Sequence, residues 1–217
     1  MTGAADRQAL CESWVRAAWA DRPDSAHDLG HLRRVWAMCQ TLAAADPGAD
    51  PEVLLPAALL HDLVNLPKDH PDRARASTLS AERAAGLLAT TDFPAAKIAA
   101  VAHAIAAHSF SAGIAPQTVE ARILQDADRL DALGAVGLAR MFAVSGALGR
   151  ALADADDPLA SARALDDRAF ALDHLETKLF RLPGAMHTDL ARRIAADRVA
   201  LMQAFRDRMV AEMRGAP

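Results

Sequence analysis

Two His-Asp dipeptides, His27-Asp28 and His61-Asp62, set an imidazole beside a carboxylate in a chain of 217 residues. The second closes the apolar run PAALLHD, where an unpartnered polar group moved out of water costs roughly 2–7 kcal/mol. An aspartate there calls for a cation or a strong hydrogen-bond partner. The plainer alternative has Asp62 capping a loop and His61 bonding a carbonyl. With 8 His and 22 Asp, chance alone supplies about one such dipeptide, so context must decide. His27 and His31 stand four apart on one helix face, a spacing that can hold one metal ion. QDADRLDALG places carboxylates at 126, 128 and 131 among Ile123, Leu124, Leu130 and Leu133. A solvated face suits Asp131 and Asp126; Asp128 suits it less well. His103 and His108 add imidazoles five residues apart in VAHAIAAHSF. Imidazoles and carboxylates together suit a borderline-to-hard divalent ion, and such ions activate water and polarise phosphoryl groups.

The elements that must position these residues are helices. Alanine-rich segments with apolar residues three and four apart dominate, and β alternation is absent. Leu32, Trp36, Cys39 and Leu42–Ala43 form one stripe behind a start signal at Ser25. The turn DPGADPE ends that helix, and Pro51 opens another running to about 61–64. NLPKDHPDR reads as a loop, after which Ser77 or Ser80 restarts a helix. TDFPA breaks the chain before a helix over 95–107, and Thr118 opens one through Asp128. Glycines at 134, 137, 146 and 149 permit close packing in the next stretch. LADADDPLASARALDD is the longest irregular region and the best candidate for a lid. Helices over about 167–182 and 186–213 follow, separated by LPGA. No internal repeat or domain linker interrupts them, so one all-α domain is the economical reading.

The composition narrows the partners. With 52% hydrophobic and 24% charged residues and a mean hydropathy of +0.05, the chain reads as an ordinary globular protein. A formal net charge of −4 gives no global basic field for nucleic acid or acidic lipid. Any anionic substrate must be met by local positive groups or by a metal. The N-terminus carries no leader pattern and no run approaches the ~18 apolar residues of a membrane span, so a cytoplasmic protein is expected. Only two cysteines occur, Cys11 and Cys39, both in helical contexts without metal spacing, which argues against a disulfide scaffold. Lysine occurs only at 68, 97 and 178. Lys68 follows the His61-Asp62 helix, and His174 and Lys178 stand four apart with Arg181 a turn further. These cations are candidates for holding a polyphosphate; Lys97 has no such context, and Arg129 suits either a carboxylate or a phosphate.

In order, H-L-R-R-V at 31–35, H-D at 61–62 and D-A-D-R-L-D-A at 126–132 resemble the HD-domain metal-dependent phosphohydrolases. The longer runs HDLGHLRRVW, HDLVNLPKDHP, HAIAAHSFS, QDADRLDALGAVGLAR and ALDHLETKL are similar to the YedJ-type branch, from about Asp24 to the final helix. The resemblance implies a single-domain, all-α HD-type helical bundle over 1–217. Its HD core would cover about 24–145, and C-terminal helices over about 167–214 would complete the pocket. It implies one divalent ion on His31, His61, Asp62 and Asp128, manganese being favoured, with iron, cobalt, nickel, zinc or magnesium as alternatives. His27-Asp28 is then the decoy, with Asp28 bonding the other ring nitrogen of His31. Asp62 and His108 take the catalytic roles, Asp62 by positioning water. His27, Lys68, His103, His174, Lys178 and Arg181 are the substrate-binding candidates. Some HD enzymes hold a second metal with adjacent histidines; the spacing of His103 and His108 departs from that, which favours one ion.

The implied reaction is nucleotide hydrolysis, with nucleoside triphosphates split to monophosphate and pyrophosphate as the leading class. Phosphomonoester cleavage of nucleoside monophosphates is the runner-up. A nucleotide-sensing HD module without turnover is the non-enzymatic alternative. A dinuclear iron oxygenase needs more ligands than can be assigned, and no H-H-E or G-Y-P run supports a cyclic-nucleotide phosphodiesterase. The expected partner is a small-molecule nucleotide, with no nucleic acid and no membrane; oligomeric state stays open.

Overall fold

The computed structural model describes residues 3–20, 28–66, 70, 72–109 and 112–215. Among these residues there are nine α-helices and no strand, with one isolated parallel bridge between Ala151 and Phe170. The all-α class read from the sequence holds. The chain divides into two compact units, Met1–Asp128 and Arg129–Pro217.

The first unit holds α1 (Ala4–Trp19), α2 (Leu29–Ala43), α3 (Pro51–Leu60), α4 (Ala76–Leu88), α5 (Ala95–His108) and α6 (Val119–Asp131) as far as Asp128. The sequence of α3, PEVLLPAALL, is apolar on every side, which only a fully surrounded helix tolerates. It packs against α1, α2, α4 and α5, and every residue from Val53 to Leu60 is buried. Charge ties fasten its N-terminus. Glu52 meets Arg7 of α1 at 2.7 Å, and Lys97 of α5 reaches both Glu52 at 2.7 Å and Asp50 at 2.6 Å. Lys97, without context in the sequence, is thus a structural residue. Arg33 of α2 grips Glu12 of α1 through two bonds of 2.8 and 2.6 Å.

Several expectations need correction here. The cap of α2 is Asp28, whose Oδ1 accepts the His31 N–H at 2.8 Å; Ser25 lies outside the described residues. Ser77 and Ser80 do not start α4 but are buried inside it, where their hydroxyls serve neighbouring segments. Asp126 is fully buried, not solvated. Cys11 and Cys39 are free and buried, and burial pushes the Cys11 thiol up to about 12.

In the second unit α7 (Gly134–Ala147) packs on α9 (Asp189–Met213), and the short α8 (Asp173–Thr177) runs into a 3₁₀ stretch, Leu179–Ala185. At Gly137 a Cβ would fall 2.2 Å from the Ala132 carbonyl oxygen, so only glycine lets the chain pass. Asp131, expected on a solvated face, is buried and paired with Arg140 at 2.6 Å. The expected helix over 167–182 is broken. Asp166 spends its carboxylate on the N–H groups of Arg168 and Ala169, and Lys178 leaves the helical region with φ −134°. Aspartate side chains compete in this way with helical main-chain bonding. The irregular region before it is fastened by its own acids: Asp157 accepts the N–H groups of Ser161 and Ala162, and Asp173 receives Arg163 at 2.6 and 2.8 Å.

Candidate metal centre

Four helices of the first unit end at, or begin beside, one cluster. His31 lies in the first turn of α2, where the Asp28 cap fixes the main chain. Asp28 was expected to hold the His31 ring; the bond seen is the one from the His31 main-chain N–H. His61 follows the last residue of α3, and the next turn is pinned because Ser80 Oγ accepts the Val64 N–H at 3.0 Å. His108 closes α5. A helix end leaves its last carbonyls without partners, and here three different side chains take them. His108 Nδ1 bonds the Ile105 oxygen at 2.6 Å, Ser77 the Ala106 oxygen at 3.1 Å, and Gln125 of α6 the Ala107 oxygen at 2.7 Å. Gln125 also brings α6, and with it Asp128, to this corner.

The donor atoms converge. His31 Nε2 lies 3.3 Å from His61 Nε2, 3.7 Å from Asp62 Oδ2 and 3.5 Å from Asp128 Oδ1. His61 Nε2 lies 3.5 Å from Asp62 Oδ2 and 3.8 Å from Asp128 Oδ1. The other oxygen of Asp62, Oδ1, faces His108 Nε2 at 3.7 Å. The His61 ring meets the His31 and His108 rings edge-on, with centroids 5.2 and 4.7 Å away. His61 Nδ1 bonds the Ala58 oxygen at 2.8 Å, as His108 Nδ1 bonds Ile105. A carbonyl only accepts, so both Nδ1 atoms carry the proton and both Nε2 lone pairs point into the cluster. Two bonds of about 2.1 Å to one ion at right or tetrahedral angles separate their donors by about 3.0–3.4 Å. The observed separations suit a shared cation better than direct hydrogen bonds, most being at or beyond hydrogen-bond range.

Exposure and charge follow the same division. The side chains of His31, His61 and His108 are 1, 0 and 7% exposed, those of Asp62 and Asp128 22 and 31%. The imidazoles form the floor and the carboxylates face the solvent side. Burial opposes ionisation of Asp128, but His61, His31 and His108 together outweigh it and hold its carboxyl below the usual range. Burial and the neighbouring His61 push the His108 imidazole down, against the pull of Asp62 and Asp128. A neutral imidazole and an ionised carboxylate are the forms that bind a cation.

The family model of the HD domain matches residues 28–133. The chain is 33% identical over 197 residues to the uncharacterized protein YpgQ of Bacillus subtilis, covering 89% of this chain and 87% of that one. The chain belongs to the HD domain family. Its fold agrees: the crystal structure of YpgQ in complex with ADP superposes with a TM-score of 0.74 at 31% identity, covering 98% of this chain and 96% of that one. An HD-superfamily hydrolase from Bacillus thuringiensis gives the same TM-score at 28% identity, covering 98% and 99%. A predicted HD-superfamily hydrolase from an uncultured Thermotogales bacterium gives 0.62 at 28% identity, covering 94% and 91%. As a member of this family the protein is an HD-type metal-dependent phosphohydrolase.

Within this HD protein the remaining candidates separate. His103 does not join the cluster. Five residues turn a helix through about 140° from its starting face, and His103 Nε2 accepts the Gln117 N–H at 3.0 Å, so its ring fastens a loop. His27 and Lys68 lie outside the described residues. His174, Lys178 and Arg181 belong to the second unit. α8 ends at Thr177, and the Lys178 N–H bonds the His174 carbonyl at 3.2 Å across that end. Arg181 Nε is taken by the Glu176 carbonyl, and Arg129 donates to the Ala185 carbonyl. Sequence reasoning missed Ser77, Ser80 and Gln125, which hold the helix ends at the cluster. The one signal available was a polar residue on an otherwise apolar helix face.

Proposed function

We propose that the protein hydrolyses nucleoside triphosphates to monophosphate and pyrophosphate, using a single divalent ion held by His31, His61, Asp62 and Asp128. The observation that carries this reading is the convergence of the His31 and His61 Nε2 atoms, 3.3 Å apart, with carboxylate oxygens of Asp62 and Asp128 that each lie 3.5–3.8 Å from both. The ion, when bound, supplies Lewis acidity to water and to a phosphoryl oxygen. One ion is favoured because the two possible donor groups, His31–His61–Asp128 and His61–Asp62–His108, share His61, whose Nε2 has one lone pair to give. Manganese suits this mixed nitrogen and oxygen set, as do its first-row neighbours and magnesium.

The chain's own residues divide the remaining work. Asp62 offers Oδ2 to the donor group and Oδ1 to the space beside His108, so it can fix the direction of an attacking water. His108 Nε2, with Nδ1 committed to Ile105, is an acceptor for a proton on water or substrate. Attack forms an oxygen–phosphorus bond and breaks the bridge to the leaving pyrophosphate. That the related YpgQ was crystallised with ADP supports a nucleotide as the ligand class. The test is a nucleotide panel assayed with separate divalent ions, resolving phosphate from pyrophosphate. Pyrophosphate from several triphosphates, lost in Asp62→Ala, is expected; orthophosphate from monophosphates alone would replace this reading with phosphomonoester cleavage.

A further inference from the structure

α4 carries no residue of the metal centre, yet two of its side chains reach the segments that do. Ser77 and Ser80 are buried and stand three apart, on one face of the helix. A serine inside a helix can turn back onto the carbonyl four residues earlier; both of these bond outward instead. Ser80 Oγ accepts the Val64 N–H at 3.0 Å and lies 3.5 Å from the Val64 carbonyl oxygen, which fastens the turn holding Asp62. Ser77 Oγ donates to the Ala106 carbonyl at 3.1 Å, two residues before His108. Three helical residues rise about 4.5 Å. The helix is thus a strut of fixed length between the turn of Asp62 and the end of α5.

The strut spans a gap that its two sides do not close themselves. Asp62 Oδ1 and His108 Nε2 lie 3.7 Å apart, beyond hydrogen-bond range. With the His108 Nδ1 proton given to the Ile105 carbonyl at 2.6 Å, Nε2 is an acceptor, and so is the carboxylate oxygen. Two facing acceptors do not attract, so their spacing has to come from the main chain on either side. Ser80 fastens one side and Ser77 the other. A water molecule, which offers two O–H groups, bridges such a pair and takes its direction from both. The His31–His61–Asp128 donor group, by contrast, takes no bond from either serine among the described residues.

We propose that Ser77 and Ser80 are positioning residues for hydrolysis: through α4 they set the gap between Asp62 and His108, and with it the rate of the chemical step more than the affinity for the metal. This deepens the reading of Asp62 and His108 as the pair that directs water, and rests on it. The test is steady-state kinetics of the full-length, manganese-loaded chain on whichever nucleotide it turns over, beside calorimetric titration with manganese. Ser77→Ala and Ser80→Ala are each expected to lower kcat roughly tenfold, with KM and the manganese Kd changed by no more than about twofold. Ser77→Cys and Ser80→Cys fill nearly the same space with a weaker donor; an intermediate kcat is expected, and they carry the test where an alanine variant does not fold. In a His108→Ala chain the gap no longer exists, so the serine substitutions are expected to lower kcat little further. A residue serving stability alone lowers kcat by the same factor in both backgrounds. Equal factors in the two backgrounds would overturn the proposal, as would an unchanged kcat in both alanine variants. A chain that turns over no nucleotide fails the reading of the reaction alone. The strut is then judged by the side-chain nitrogen-15 resonances of His108 in the magnesium-loaded chain. Ser77→Ala is expected to move them, and Ser13→Ala, at an exposed serine of α1, is not; resonances unmoved by Ser77→Ala would overturn the proposal there too.

Discussion

His61 and His108 in the first unit give their Nδ1 protons to main-chain carbonyls three residues back, whereas His174 in the second is tied to a carboxylate. Each tie fixes the ring and leaves Nε2 to a ligand, but the electrostatics differ. A carbonyl is neutral and favours a neutral imidazole, the form that gives its lone pair to a cation. A carboxylate favours a proton on the ring, but at His174 burial outweighs Asp167 and holds the imidazole below its ordinary range. The two ties also differ in origin. The first is encoded within a single helical turn, and the second needs the fold of an entire irregular region.

The largest expected effect separates the two histidine environments by metal content. His61→Ala or Asp128→Ala should remove bound metal, read by elemental analysis. Hydrolysis should fall by more than the 10–100-fold typical of residues that merely support a ligand. His174→Ala should leave the metal content unchanged; metal lost there as well would break the contrast. Next, adding divalent ion at about 100 times its Kd should stabilise the chain by about 2.7 kcal/mol. That corresponds to a rise in Tm of roughly 5–10 °C, absent in His61→Ala. Third, Arg163→Ala strands the buried Asp173 carboxylate. A Tm lower by several degrees with metal content intact is expected, and loss of metal would join what the contrast holds apart. The smallest effect is a pH dependence. Hydrogen bonds from Arg33 hold Glu12 down at about 2. Because this carboxyl is depressed on folding, its contribution is complete above the ordinary glutamate range of about 4.3 and fades as pH falls through about 2. The Tm advantage of the natural chain over Glu12→Gln should shrink across that window.

How far the sequence could be read varies by residue. Asp62 and Asp128 stood out because each interrupts an apolar context, and the helices carrying them were legible from period and turn residues. The carbonyl ties of His61 and His108 were not legible, since a ring's tautomer depends on three-dimensional direction. Asp126 and Asp131 were misread as solvated because periodicity locates one covered face of a helix but not a second. Asp131 found its cation, Arg140, beyond the end of its own helix. The helix expected over 167–182 failed because Asp166 and Asp167 use their side chains on local groups.

Asp62 and Asp128 stand at the open side of three imidazoles, like-charged to any polyphosphate arriving there. At 4 Å such repulsion amounts to about 1 kcal/mol per pair in water and about 4 near a protein surface. A cation held between them would remove that repulsion.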